Sequence, residues 1–314
     1  MQIKLSFFQL FLILTILVVT EKSFSQGNLD KADSLRNEGL LVPALMIYAA
    51  SIQQNPNEDL SYKIASTSAL LWTTQMRDTS FYFLNHALSQ DSTLTALYDP
   101  NFLSLVDDPR WHNIENEQIR KYESKNGSIR NKTFAKQLFR MIIKDQGFMY
   151  AGNIERKKYI QNGGFFDSPA IFPVLAQEEK NMKENQKLLL DLLEKYGWPT
   201  SSQVTEYAAA GAALIINHSS FELRQKYFPL LEEAFKNGEA QPLRYAKMKD
   251  RLLVEQGKEQ LYGTQIKFED LRRELYPIEN PKFVNKRRKE IGLGPLAPYL
   301  KARFDIDWDV IQEN

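Results

Sequence analysis

The first apolar run of the chain is continuous rather than periodic. Residues 5–19 are almost wholly apolar and follow a short start that carries Lys4. A run of about 15 residues suits the core of a secretory signal and falls short of the ~20 needed to cross a bilayer. The small residues Ser23 and Ser25 lie three and one positions before a cut that would follow Ser25. The pattern predicts a signal peptide over 1–25 and export to the periplasm or beyond the cell; retention as an uncleaved anchor is the alternative.

From 27 to 124 the apolar positions recur every three or four residues, which is the period of a helix. Two helix pairs are predicted, the second with helices at 62–74 and 79–90. Asn55-Pro56 and Asp91-Ser92 close the two pairs 36 residues apart. Matching positions of the two pairs carry a small, then a large, then a small side chain: Ala44, Tyr48 and Ser51 in the first pair, and Ser80, Leu84 and Ala87 in the second. The region resembles tetratricopeptide repeats, whose period is ~34 residues. Such repeats imply a concave face that binds a protein or peptide; the alternatives are a plain array of helical hairpins and a face that packs on the second half.

A polar stretch at 125–132 contains Gly127 and predicts a linker between two domains. A second helical domain is predicted over 133–304, with a tail at 305–314. Within it, the glycine-rich and aromatic stretch 152–173 predicts a loop.

One segment of the second domain is apolar on all sides. The run from Tyr207 to Ile216 reads YAAAGAALII, which indicates a helix buried all round. Gly211 in its middle is expected to let a neighbouring helix approach closely. Asn217 and His218 end the helix, and His218 shares a face with Gly211.

The second domain resembles an uncharacterised bacterial family that is defined only as a domain of unknown function. The resemblance covers about 134–304 and rests on Asp145-Gln146, KYGWPT at 195–200, the buried helix ending in His218, Asp250-Arg251, and QLYGTQ at 260–265. The resemblance also includes three consecutive basic residues at 286–288 and the sequence GLGPLAPY at 292–299. The family carries no established activity, so the resemblance implies domain limits and no chemistry.

Composition and charge narrow the classes of function. Lys and Arg (40) nearly cancel Asp and Glu (39), so no overall field favours nucleic acid or an anionic membrane. The basic run 286–289 is interpreted as a solvated helix face. With no Cys and three His, the sequence gives no disulfide, cysteine-zinc or iron–sulfur site, and neither a metal nor a cofactor is expected. Phosphate-loop, dinucleotide and nucleophile-elbow motifs are absent.

The candidate chemistry lies in the second domain. His218 and Asp250 are predicted to form an acid–base pair if Asp250 folds back onto the imidazole. A polar ligand site is predicted around the same residues, with these further members: Arg251, Gln260, Tyr262, Thr264, Gln265, Trp198, Asp145 and Gln146. The structural alternative is that His218 caps a helix and that Asp250 and Arg251 join helices.

The sequence therefore predicts an all-α protein with tetratricopeptide-like hairpins followed by a second helical domain. The leading hypothesis for its function is an exported binding protein of the cell envelope. It would hold a protein or peptide on the repeat face and a small polar ligand near His218. The alternative is a hydrolase of small molecules or peptides that uses His218 and Asp250.

Overall fold

A computed structural model describes residues 26–165, 168–169, 171–269 and 271–313 of the chain. The predicted signal peptide, 1–25, lies outside the described residues. Helices dominate the described part, and the only sheet found there is a two-stranded hairpin, so the predicted all-α class is confirmed. No helix of the described residues is both long and apolar enough to cross a membrane.

The N-terminal part consists of consecutive helices that pack on one another: α1 (Gln26–Asn37), α2 (Leu41–Gln54), α3 (Glu58–Ala69) and α4 (Thr74–Ala87). The second pair begins earlier than the predicted helices at 62–74 and 79–90, because Asn57 and Thr73 cap it. The side chain of Asn57 accepts from the amide of Leu60 and that of Thr73 from the amide of Met76. Small residues hold this pair close together, and Ser80 Oγ donates to the Ala65 carbonyl at 2.8 Å.

The two predicted domains meet through an ordered connection. Helix α5 (Trp111–Asn126) runs into the predicted linker, and Asn131 caps α6 (Lys132–Gln146). Ile129, between them, is buried. One hydrophobic cluster extends from Ala65 to Tyr262 and so draws residues from both sides of the connection. The predicted division into two domains stays a prediction. Any such division has to separate residues that share this one hydrophobic cluster.

The predicted loop at 152–173 is mostly helical, which corrects that expectation. Helix α7 (Met149–Gln161) occupies its first half, and α8 (Ile171–Tyr196) begins before its end. Helix α7 has no buried residue, so its apolar positions do not form the one-sided stripe by which a helix is recognised.

The buried helix is found where it was predicted. After the short α9 (Ser201–Val204) comes α10 (Glu206–His218), whose residues Ala208 to Ile216 are all buried. Helices α11 (Phe221–Lys236) and α12 (Pro242–Glu255) pack around it.

The last part of the chain contacts α12 through the amides of Leu261 and Thr264, which donate to Asp250, and through Gln265, which donates to the Lys247 carbonyl. It contains a hairpin of β1 (Ile266–Glu269) and β2 (Arg272–Leu275), which was not among the predicted elements. Helices α13 (Val284–Glu290) and α14 (Leu296–Phe304) follow. A small apolar cluster that includes Ile278, Val284 and Leu300 joins these elements. The predicted tail has no regular secondary structure in its described residues, although the amide of Glu313 donates to the Lys282 carbonyl at 2.8 Å.

Candidate functional site

His218 pairs with Asp145, not with Asp250. Its Nδ1 lies 3.0 Å from Oδ1 and 2.9 Å from Oδ2 of Asp145. The two residues are 73 positions apart and close the ends of α10 and α6, which pack side by side. The Asp145 side chain is 1% exposed and that of His218 is 33% exposed. The structure thus places Asp145, which was among the predicted ligand residues, on the imidazole in the position that the sequence analysis gave to Asp250.

The contact with Asp145 determines the tautomer of the neutral imidazole. A carboxylate only accepts hydrogen bonds, so Nδ1 is the donor and Nε2 of the neutral ring is the acceptor. The neighbouring Gln146 also donates, through Nε2, to Asp145 Oδ2. No described residue hydrogen-bonds Nε2 of His218, so this nitrogen is available to a ligand.

His218 lines a pocket of about 190 Å³ between α8 and the end of α10. Met182 and Ile215 give the pocket an apolar side, and Gln186 and Ser219 give it polar groups. Glu178, also on α8, lies within electrostatic range of the pair. Burial and the charge of Asp145 raise the pKa of Glu178, whereas His218 acts in the opposite direction. The arrangement is a proton acceptor beside a small, partly polar pocket.

Asp250 has a structural role. Its side chain is fully buried and accepts from the amides of Leu261 at 2.8 Å, Tyr262 at 3.0 Å and Thr264 at 3.0 Å, and from Thr264 Oγ1 at 2.8 Å. Burial raises the pKa of Asp250, and these donors oppose the shift because they favour the carboxylate. Asp250 thus holds the 260–265 loop to α12 and does not fold back onto His218 as the predicted acid–base pair required.

The other polar residues of the same loop are also satisfied within the protein. Gln260 is fully buried, and its Nε2 donates to the carbonyls of Gln265 and Tyr276. Gln265 Nε2 donates to the Lys247 carbonyl at 3.1 Å. Arg251 forms an ion pair with Glu255 at 3.4 Å. Gln260 and Gln265 therefore hold the loop, whereas Arg251 pairs within α12. No hydrogen bond or ion pair among the described residues joins these three residues to His218.

The two remaining predicted ligand residues, Tyr262 and Trp198, are placed apart. Tyr262 is buried, and its ring lies 6.2 Å from that of Tyr245. Trp198 lines a separate, open depression together with Arg130 and Tyr196. The predicted set is therefore divided among the His218 pocket, the loop and this depression.

Three further basic residues were not among the predicted site residues. Arg244 and Lys247 lie one turn apart on α12, and Arg303 lies near the end of α14. Burial lowers the pKa of Lys247 to about 7, and the charges of Arg303 and Arg244 act in the same direction. The i, i+3 spacing of Arg244 and Lys247 was visible in the sequence, but with 40 basic residues it does not stand out.

Fold and site together define an essentially all-α protein with a His–Asp pair beside a small pocket in its C-terminal half. The family comparison covers that half: residues 145–307 match a family of unknown function, DUF6624, and the chain belongs to this family. The match begins at Asp145 and includes His218 and the basic residues of α12 and α14. No curated protein and no solved structure matches the chain.

Proposed function

We propose that the C-terminal half is an acid–base enzyme that acts on a small polar substrate in the His218 pocket. The observation that carries the proposal is the buried Asp145 carboxylate on Nδ1 of a partly exposed histidine. A carboxylate in this position orients an imidazole and stabilises its protonated form, so that Nε2 accepts a proton from a nucleophile or water. Hydrolysis of a small ester, amide or phosphoester is the class of reaction that this arrangement serves.

The test is turnover of a panel of small chromogenic esters, amides and phosphoesters by the full chain. His218→Gln is expected to lower kcat by ~10²–10⁴-fold, since general acid–base catalysis contributes about that much. Asp145→Asn is expected to lower kcat strongly too, because an asparagine amide that donates to Nδ1 imposes the wrong tautomer.

His112→Gln is the matched control for this experiment. The His112 side chain is 61% exposed and lies 3.8 Å from Glu115, outside the pocket. Turnover by this variant should equal that of the wild type. Turnover by His218→Gln at the wild-type rate contradicts the proposal.

We further propose that the protein is exported and acts in the cell envelope. The support is the 15-residue apolar run followed by small residues before Gln26. Mass spectrometry of the protein from the envelope fraction is expected to find an N-terminus at or near Gln26. Recovery of chains that retain Met1 to Ser25 would contradict cleavage.

A second function, binding of a protein or peptide by the N-terminal helices, is favoured by exposed apolar residues at the start of α2. Leu40, Val42 and Met46 are 46%, 56% and 42% exposed, and Val42 and Met46 share one helix face. Single exposed apolar residues are common, but a group on one face marks an interaction surface. Helical repeat arrays bind extended partners on such faces.

The test is to select peptides that bind the full chain from a displayed library and to measure their binding to variants of this surface. The Val42→Glu/Met46→Glu double variant is expected to bind them at least about tenfold more weakly, because two charges would be placed in an apolar contact. Leu175→Glu, at an exposed position of α8, is the control and should bind normally. Unchanged binding by the double variant would assign the partner to another surface.

A further inference from the structure

An open depression of about 610 Å³, which we call the Trp198 depression, lies where the connection between the two halves of the chain meets α9. Its volume falls in the range of small-molecule sites, ~300–1,000 Å³. The Asn131 amide donates to the Gln203 carbonyl at 2.9 Å and so joins the connection to α9. None of the lining residues lines the His218 pocket. They are Arg130, Asn131, Tyr196, Trp198, Thr200 and Gln203.

Two aromatic rings of the depression are held in place by the fold. Gly197, at a φ of 75°, follows the end of α8 and separates Tyr196 from Trp198. The ring of Tyr196 stacks on Phe134 with centroids 5.4 Å apart, and that of Trp198 stacks on Tyr227 at 6.3 Å. Both lining residues are only partly buried. A ligand therefore meets rings that are already ordered, which lowers the entropic cost of binding.

The polar side chains of the depression are not used by the protein. Among the described residues, no hydrogen bond or ion pair is made by the guanidinium of Arg130, the indole nitrogen of Trp198 or the side-chain amide of Gln203. Asn131 uses Oδ1 to accept from the Phe134 amide at 3.0 Å, and its Nδ2 has no partner in that part of the chain.

Arg130 is exposed and has a carboxylate in its surroundings without pairing with it. Glu239 lies within electrostatic range of Arg130. Its Oε2 accepts from the Ser202 amide at 2.8 Å, and no ion pair joins it to Arg130. The guanidinium is therefore available to a ligand.

The unused groups are mostly hydrogen-bond donors. A guanidinium and an indole nitrogen only donate, as does Nδ2 of Asn131, whereas the Gln203 amide and the Tyr196 hydroxyl can both donate and accept. A matching ligand needs many acceptor oxygens, some donors, and an apolar face for the rings.

We infer that the Trp198 depression binds a saccharide whose rings carry acetamido or carboxylate groups. A sugar ring has an apolar C–H face that packs on an aromatic ring, and its hydroxyls both donate and accept. Acetamido carbonyls or carboxylates supply the further acceptors that the excess of donors requires. A proline-rich peptide is the other ligand that aromatic grooves bind. It fits less well, because prolines have no N–H to donate to the Gln203 carbonyl oxygen or the Tyr196 hydroxyl.

Calorimetric titration of the full chain with tri-N-acetylchitotriose and with trigalacturonate tests the inference. Cellotriose, which has the same length and only hydroxyl substituents, is the reference ligand. At least one of the first two is expected to bind at one site and at least about tenfold more tightly than cellotriose, because its carbonyl oxygens satisfy the unused donors. Preference for trigalacturonate would identify a carboxylate as the recognised group, and preference for tri-N-acetylchitotriose an acetamido group.

Trp198→Ala and Arg130→Ala should each weaken binding of the preferred trisaccharide at least about tenfold, since aromatic and arginine side chains dominate binding energy. The matched controls are Trp72→Ala and Arg120→Ala. Trp72 is 52% exposed and the Arg120 side chain 69% exposed, and neither lines the depression. Both controls should bind as the wild type does. His218→Gln should also bind normally, so failure of the proposed enzyme and failure of this site are distinguishable.

Tryptophan fluorescence gives a second readout, in a variant that keeps an aromatic ring for packing. The emission of the wild type, which has four tryptophans, is expected to change saturably with the trisaccharide. Trp198→Phe should lose this change while its melting temperature stays near that of the wild type. The inference is overturned if neither substituted trisaccharide binds saturably, if cellotriose binds equally well, or if Arg130→Ala and Trp198→Ala bind as the wild type does. Tighter binding of a polyproline peptide, or an emission change that persists in Trp198→Phe, would overturn it too.

Discussion

Asp250→Ala is expected to lower the free energy of unfolding by ~3–5 kcal/mol, the loss typical when one partner of a buried charged network is removed. The fully buried carboxylate accepts from three backbone amides and one hydroxyl of the 261–264 segment. Alanine would leave these donors buried without an acceptor and would open a cavity. Because Tyr262 and its carbonyl support Arg288, the damage is expected to spread to α13 and α14.

Urea unfolding followed by circular dichroism measures this loss. Asp309→Ala is the matched control, since Asp309 is exposed, and should change stability by less than about 0.5 kcal/mol. A comparably small loss for Asp250→Ala would mean that the loop is held by other contacts. It would also reopen the question of a functional role for this carboxylate.

The sequence was sufficient for the features that depend on local pattern. The apolar run from Ala208 to Ile216 is rich in alanine, which favours a helix that is buried on all sides, and its single glycine indicated a close helix contact. The end of the same apolar run also predicted correctly that His218 lies at the end of that helix. Helix α7 was missed because it has no fully buried residue, so no stripe of buried apolar positions marks it in the sequence.

The partner of His218 could not be derived in this way. Asp145 and Asp250 are both aspartates at helical positions, 73 and 32 residues from His218, and sequence spacing does not choose between them. The choice is made by tertiary packing, which places the ends of α6 and α10 together. The loop that follows α12 has its own use for Asp250, because its amides point to one centre and need an acceptor.

Gly211→Leu is expected to destabilise the protein by ~1–3 kcal/mol or more through overpacking. A Cβ at Gly211 would lie 3.0 Å from Ile142 and 3.2 Å from the Leu138 carbonyl oxygen of α6. A backbone oxygen has no rotamer to change, so the two helices would have to separate. Gly152→Leu is the control, because a Cβ there meets nothing within 4 Å and leucine favours the helix.

The same substitution is expected to disrupt the site, which links the packing of the core to function. Leu138 and Gly211 are in contact, and Asp145 and His218 follow them by seven residues each, two turns further along parallel neighbours. The His218–Asp145 contact lies about 10 Å further along the helix axes than Gly211. Separation of α6 from α10 at Gly211 would therefore lengthen this contact. His218→Gln keeps a donor for the buried Asp145, so its melting temperature should stay near that of the wild type while turnover is lost. Thermal melts of His218→Gln and Gly211→Leu, run side by side with the turnover assay, show whether His218 has a functional or a structural role. If the melting temperature of His218→Gln falls as far as that of Gly211→Leu, His218 belongs to the core.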